Sequence, residues 1–394
     1  MAAVLIVLFV LEALVFIHLV FPFILYLFNG VSKEKNDSVI ADLPESDFAI
    51  IVTAYEQTNL LPSVVNSILN LKFSNYLVYI VADNCDISDL KFDDPKIILL
   101  RPETVISSNT GSHFYAIQRF KRPHEKLTII DSDNLVEPGY LTALDKVFSI
   151  GYRAVQGVRE AKNLNTNYAC LDAAGDIYYR YIDRKLLFGA GSSASLAGSG
   201  MAFDTKLYRD CLEQLDISGA GFDKVLQYEI MNRKLKIAFA DEAIVYDEKT
   251  SKSDQLVKQR ARWINTWFKF FKLGLKMFFS SILNLNWNQF LFSIMLLRPP
   301  LFLIFILSFI FLVADLFFMP VLSVIWLLGG ISFIYIFYRS LNYFKADSRI
   351  IQSLKSIPKF IFYQVLALIK ANKANKLSVA TSHDQDLSID ELKK

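Results

Sequence analysis

The chain of 394 residues has little cysteine. Its three, Cys85, Cys170 and Cys211, suggest no disulfide framework, and none has metal-site spacing. That suits a reducing compartment. Net charge is also small, +3 at neutral pH, so no global field marks the chain as a polyanion binder. No internal repeat appears, which excludes a solenoid, and no low-complexity segment appears. The apolar N-terminal run lacks a preceding Lys or Arg and a following small-residue cleavage site. Both absences count against a secretory signal peptide.

Apolar residues are abundant, at 53%, and unevenly placed. Residues 1–28 and most of 287–338 are almost wholly apolar, whereas 45–260 is an ordinary globular mixture. The first run is long enough to cross a bilayer as a helix. The second has room for two spans, 299–317 and 320–338, turning at Met319-Pro320. Lys33 and Lys35 follow the first span, and Arg339, Lys345 and Arg349 follow the hairpin. The positive-inside rule then predicts an external N-terminus and a cytosolic globular part, in an integral protein of a cytoplasmic membrane. From Lys249 to Lys276 eight Lys or Arg face one acid, Asp254. Such a stretch beside apolar spans faces lipid headgroups; its many Phe and Leu argue against nucleic acid. Lys269, Lys272 and Lys276 fall on one face of a helix over 264–280, with Trp267, Phe268, Phe271, Leu275 and Phe278 largely on the other. This predicts a helix lying in the membrane surface, or alternatively one packed on the globular part. A second such helix is predicted over 357–370.

Buried strands are predicted at 48–54, 76–83, 96–100 and 127–130. Helices are predicted at 60–70, with Pro62 in the first turn, and at 139–149. Alternation of this kind predicts an α/β domain with a mainly parallel sheet. Ligands of such sheets sit beyond the carboxyl ends of the strands. Asp83 and the pair Asp131 and Asp133 lie at such ends. The two carboxylates of LTIIDSDN point to one side in extended chain. They repel unless something positive sits near them, either a Lys or Arg or a metal ion. One reading is a capping or turn pair. The other is a hard cation, Mg²⁺ or Mn²⁺, shared with a diphosphate.

Further pieces follow in order: VADNCD with Asp83, SLAGSGMAF at 195–203, GFDKVLQYEI with Asp223, and QRARW at 259–263. In order and spacing the chain resembles membrane-bound family-2 glycosyltransferases, the group of cellulose, chitin and hyaluronan synthases and bacterial exopolysaccharide transferases. The resemblance covers about residues 47–270 and the membrane layout. QRARW, matching QxxRW, is its most specific signal.

The resemblance implies a Rossmann-like GT-A fold and inverting transfer from a UDP-sugar with Mg²⁺ or Mn²⁺. It assigns Thr53, Ala54 and Tyr55 to the nucleotide pocket and Asp83 to the uracil. Asp131 falls near the ribose or metal, and Asp133 holds the metal against the diphosphate. Gly198, Ser199, Gly200 and Met201 floor the acceptor site, and Asp223 is the general base. Gln259, Arg262 and Trp263 lie between leaving diphosphate and acceptor. Plainer roles exist for several: Asp223 as a helix cap, Trp263 as an aromatic-belt anchor, Arg262 as a headgroup contact, Asp83 as a turn residue, Gly198–Gly200 as a loop.

The implied layout is a transmembrane helix at 1–28, a GT-A domain at 47–263, an interface region at 264–298, a transmembrane hairpin at 299–338 and a cytosolic tail at 339–394. The implied acceptor is a growing polysaccharide. With only three clear spans, the runner-up is a single transfer to a lipid or lipid-linked acceptor. A silent nucleotide-sugar-binding subunit is a third reading. Other implied partners are membrane lipid and a synthase-complex partner or second copy, not nucleic acid. The chain departs from the pattern in three places. The family's TED is Gly221-Phe222-Asp223, Ser112 stands where a lysine is common near Gly111, and TAYEQ replaces PxYNE. SVATSHD at 378–384 faintly resembles a gating segment, with Thr381 matching its threonine and His383 in place of a Lys or Arg.

Overall fold

The computed structural model describes residues 2–29, 44–217, 221–371 and 385–392. Lys33, Lys35 and the 378–384 segment with Thr381 and His383 lie outside the described residues. The chain forms two compact units. One comprises Glu34–Ala169, Ser193–Ser251 and Asn375–Lys394; the other comprises Met1–Lys33, Cys170–Ser192 and Lys252–Ala374. All three cysteines are free and buried.

The first unit is built on an eight-stranded sheet. Its strands are β1 (Phe48–Tyr55), β2 (Tyr76–Asp83), β3 (Ile97–Leu100), β4 (Lys126–Asp131), β5 (Leu135–Val136), β6 (Ala154–Ala161), β7 (Met201–Asp204) and β8 (Ile237–Asp247). Their order is β3-β2-β1-β4-β7-β6-β8-β5. β1, β2 and β4 are near-continuous apolar runs because parallel strands are covered on both faces. Phe48–Val52, Val78–Ala82 and Leu127–Ile130 are accordingly buried. The core gathers Ile51, Val81, Ile129 and Phe203 from the sheet with Ile117, Leu207, Leu226 and Ile230 from the covering helices. Each fully buried apolar side chain of this size contributes about 1.5–3 kcal/mol relative to exposure.

The sheet is mainly parallel as expected, with six strands in one direction and two, β5 and β7, reversed. β7 runs antiparallel to both β4 and β6, and β5 runs antiparallel to β8. The sequence does not reveal these two strands because of their length: β5 has two residues and β7 four, too few to show a period. The predicted helices are found at Leu61–Leu69 and Tyr140–Ser149.

The second unit is helical. Leu5–Leu27, Leu301–Phe318 and Pro320–Tyr343, of 23, 18 and 24 residues, are long and apolar enough to cross a membrane. Pro320 opens its helix at the position where a missing N–H costs nothing. Ser253–Leu283 is one uninterrupted helix of 31 residues that contains both QRARW and the amphipathic stretch. Its Val257, Ala261 and Ile264 pack with Phe302, Ala367 and Ala371. Further along, Lys269, Lys272 and Lys276 are exposed, and so are Phe268 and Phe279. The Ile357–Lys370 helix has the predicted bounds and supplies Ala367 to that cluster, with Ile361, Val365 and Leu368 packed beside it.

Candidate active site

The carboxyl ends of three adjacent parallel strands define the site in the sheet unit. Thr53 of β1 is directly opposite Asp131 of β4, and Tyr55 is opposite Asp83 of β2. Glu56 and Asn84, the residues after β1 and β2, both have positive φ, so the strands end abruptly. Ala54 is buried, Thr53 half-buried and Tyr55 exposed at the rim.

Asp83 is buried and both its carboxylate oxygens are engaged. Ile106 N–H donates to Oδ1 at 2.9 Å and Ser107 N–H to Oδ2 at 2.7 Å. Ser107 needs φ of +50° to present that amide. Asp83 therefore pins the loop that leads into the Asn109–Ile117 helix, a role sequence reading did not foresee. Each oxygen has a second lone pair available to a ligand.

The DSDN turn is tied to the 197–201 segment. Ser199 Oγ receives a hydrogen bond from Asp131 N–H at 3.1 Å and donates to Asn134 Oδ1 at 2.5 Å. Gly200 N–H donates to Ile129 O at 3.0 Å. Gly200 adopts φ of +66°, a conformation that favours glycine. Met201 starts β7 with its side chain in the apolar core, and its carbonyl accepts from Thr128 Oγ1 at 3.0 Å. Gln156, fully buried on β6, clamps this segment. Its Oε1 accepts from Ala197 N–H at 2.9 Å, and its Nε2 donates to Ser199 O and Gly200 O, each at 3.2 Å. Arg159 Nη1 adds a bond to Ala197 O at 2.8 Å. The next residue, Gly157, sits where the β6–β8 register shifts, and a Cβ there would lie 2.4 Å from Ala243 O.

Gln156→Leu is expected to destabilise the protein by about 2–4 kcal/mol, because buried backbone groups lose their partners. A lowered melting temperature in detergent would show it, and an unchanged one would contradict the clamp.

Lys162 answers part of the charge question posed by Asp131 and Asp133. It follows β6, is buried, and its ammonium donates to Asp133 O at 3.1 Å. Burial lowers its pKa from the ordinary lysine value, and Asp133, Glu248, Asp386 and Asp247 oppose that shift, in that order. Nearby, Lys249 is buried with its ammonium 2.8 Å from Asp247 Oδ1, and Arg159 pairs with the same carboxylate. Nothing in the sequence of GVREAKN signalled this, since the acids come from distant segments.

The donor set also bears on a metal. Among the described residues no group of three or more His, Cys, Asp or Glu could hold a metal ion. Two carboxylates cannot form a closed protein cage. They fit a hard cation that keeps waters and takes its remaining oxygens from a phosphate.

Asp223 is the second residue of the Phe222–Asn232 helix. Gly221, at φ of +101°, occupies the cap position, so Asp223 is not the cap. Its carboxylate is 3.3 Å from Lys224 Nζ and faces the positive end of the helix dipole. Glu229, another acid on the same helix, is held by Arg233 at 2.6 Å.

QRARW belongs to the helical unit. Gln259 and Arg262 are half-buried, and Trp263 is 44% exposed. Burial lowers the Arg262 pKa, though a guanidinium stays charged. The intervening Arg260 is buried, pairs with Asp172 and stacks over the Trp263 ring at 4.1 Å. Sequence reading passed over Arg260 and Asp172, whose pairing spans 88 residues.

The family model described as "Glycosyltransferase like family 2" matches residues 44–266. No curated protein sequence matches the chain. Among solved structures, the fold is similar to the mannosyltransferase PcManGT from Pyrobaculum calidifontis, in complex with GDP-Man and Mn²⁺. That likeness has a TM-score of 0.59 at 12% identity and covers 92% of this chain and 97% of that one. A second similar structure is S. aureus TarS 1-349 in complex with UDP, with a TM-score of 0.39 at 13% identity, covering 59% of this chain and 65% of that one. The first likeness shows a GT-A fold: a mixed, Rossmann-like sheet, here with three candidate membrane-spanning helices.

Proposed function

The chain belongs to glycosyltransferase like family 2, and we propose that it is a membrane-bound inverting enzyme that moves a sugar from a UDP-sugar to a growing polysaccharide of exopolysaccharide or capsule type. The observation that carries this reading is the set of Asp83, Asp131 and Asp133 at the ends of adjacent parallel strands, with Asp223 in the first turn of a helix of the same unit.

In this reading Thr53, Ala54, Tyr55 and Asp83 bind the nucleotide. Asp223 takes the proton of an acceptor hydroxyl as its oxygen attacks the anomeric carbon. The bond to the diphosphate oxygen breaks on the opposite face, and its electron pair leaves with UDP. A single displacement inverts the anomeric centre, so an α-linked donor gives a β-linkage. Asp131 and Asp133 would hold Mg²⁺ or Mn²⁺, which offsets charge on the leaving diphosphate. PcManGT, of similar fold, was solved with Mn²⁺. Arg262 is a donor-phosphate contact, suited by its planar fork. Gln259 and the flat face of Trp263 are acceptor contacts, with Gly198, Ser199 and Gly200. The Lys-bearing helices Ser253–Leu283 and Ile357–Lys370 rest at the lipid surface, with the sheet unit on the cytosolic side.

A second reading is a single transfer to a lipid-linked acceptor. It is favoured by the small number of candidate spans, three among the described residues. Product length separates the two. The purified chain, given labelled UDP-sugar and membrane extract, should yield a product of many sugar units. A lipid-extractable product with one added sugar would replace the first reading with the second.

A further inference from the structure

The Gln385–Leu392 segment lies against the sheet unit at two points. Gln385 N–H donates to Glu248 Oε2 at 3.0 Å, just past the end of β8. Ser63 Oγ donates to Asp386 Oδ1 at 2.5 Å, from the first turn of the helix that follows β1. The Asp386 carboxylate also acts on the Lys162 ammonium, which is bonded to the Asp133 carbonyl. Lys162 is therefore acted on by three carboxylates from the strand ends, Asp133, Asp247 and Glu248, and by a fourth, Asp386. The segment itself, QDLSIDEL, carries three acids and no basic residue.

We propose that Gln385–Leu392 is an autoinhibitory strap, and that its Asp386 carboxylate, held by Ser63, takes the place of an anionic oxygen of the donor diphosphate at the carboxyl ends of the strands. The inference rests on the donor reading above. A carboxylate and a phosphate accept from the same donors: an ammonium, a serine hydroxyl and the positive end of a helix. Both cannot occupy one small site, because like charges repel strongly where water is largely excluded. Entry of the donor then requires the strap to leave and the bonds from Ser63 and Gln385 to break.

The test is nucleotide affinity. UDP and GDP, each with Mn²⁺, are titrated calorimetrically into the detergent-solubilised full chain, its Asp386→Asn variant and a chain lacking residues 385–394. Asp386→Asn keeps the shape and the Ser63 bond and removes only the charge. It should lower the nucleotide Kd about five-fold, the size expected for one partly screened like charge, and truncation should lower it at least as much. A synthetic peptide of Gln385–Leu392 added to the truncated chain should raise the Kd again, and the same peptide carrying D386N should not. Equal affinities in all three proteins would overturn the strap while leaving the donor reading intact. Weaker binding on truncation would also overturn it, making the segment part of the donor site. If no nucleotide binds even the truncated chain, the donor reading falls and the strap with it.

Discussion

Asp223→Asn is expected to cut sugar transfer by about 10²–10⁴-fold while leaving nucleotide affinity unchanged. Asparagine matches aspartate in shape but cannot take a proton from the acceptor hydroxyl. The position supports a chemical rather than structural loss. Gly221 is the cap, so the substitution removes no capping bond, and the nearest cation, Lys224, is a sequence neighbour at 3.3 Å. Glu229 is a poor substitute because Arg233 holds it. Transfer assays and UDP titrations on the same preparations check the split. Undiminished transfer would move the base to another residue. Lost UDP binding with lost transfer would place Asp223 on the donor side instead.

Asp133→Ala should weaken UDP binding at least about ten-fold and remove its sensitivity to chelator. In the parent chain, adding chelator should weaken UDP binding by a similar factor. In the variant it should change nothing further. The substitution also takes one acid from the surroundings of Lys162, whose bond to the Asp133 carbonyl is to the backbone and survives. Asp133→Asn separates charge from volume and should behave as the alanine does. If parent binding is indifferent to chelator, Lys162 alone supplies the positive charge at the DSDN turn and the metal assignment is wrong.

The residues that proved readable in advance are those whose position follows from local pattern. FAIIVT, YLVYIVAD and LTIID are apolar because parallel central strands are buried on both faces, and their ends located Asp83, Asp131 and Asp133. The apolar runs at both ends of the chain gave the three candidate spans in the same way. The unread part depends on partners far away in sequence. Gln156 looks like an ordinary strand residue until its amide is seen bonded to residues 41 to 44 positions later. Lys162 is one of many lysines until the charges of Asp247, Glu248 and Asp386 are seen to act on it. Arg260 was merely a gap in QxxRW, yet it is the buried partner of Asp172 and lies over the Trp263 ring. Short antiparallel strands escaped for another reason, since two to four residues hold no period.

Nucleotide release by the purified chain, solubilised in detergent, bears most directly on the central claim of metal-assisted sugar transfer. A panel of UDP- and GDP-sugars would be offered with Mn²⁺, Mg²⁺ or chelator, beside Asp223→Asn. The account predicts release of UDP from one sugar donor, dependent on a divalent ion and lost in the variant. Release that persists in chelator and in Asp223→Asn alike would contradict it.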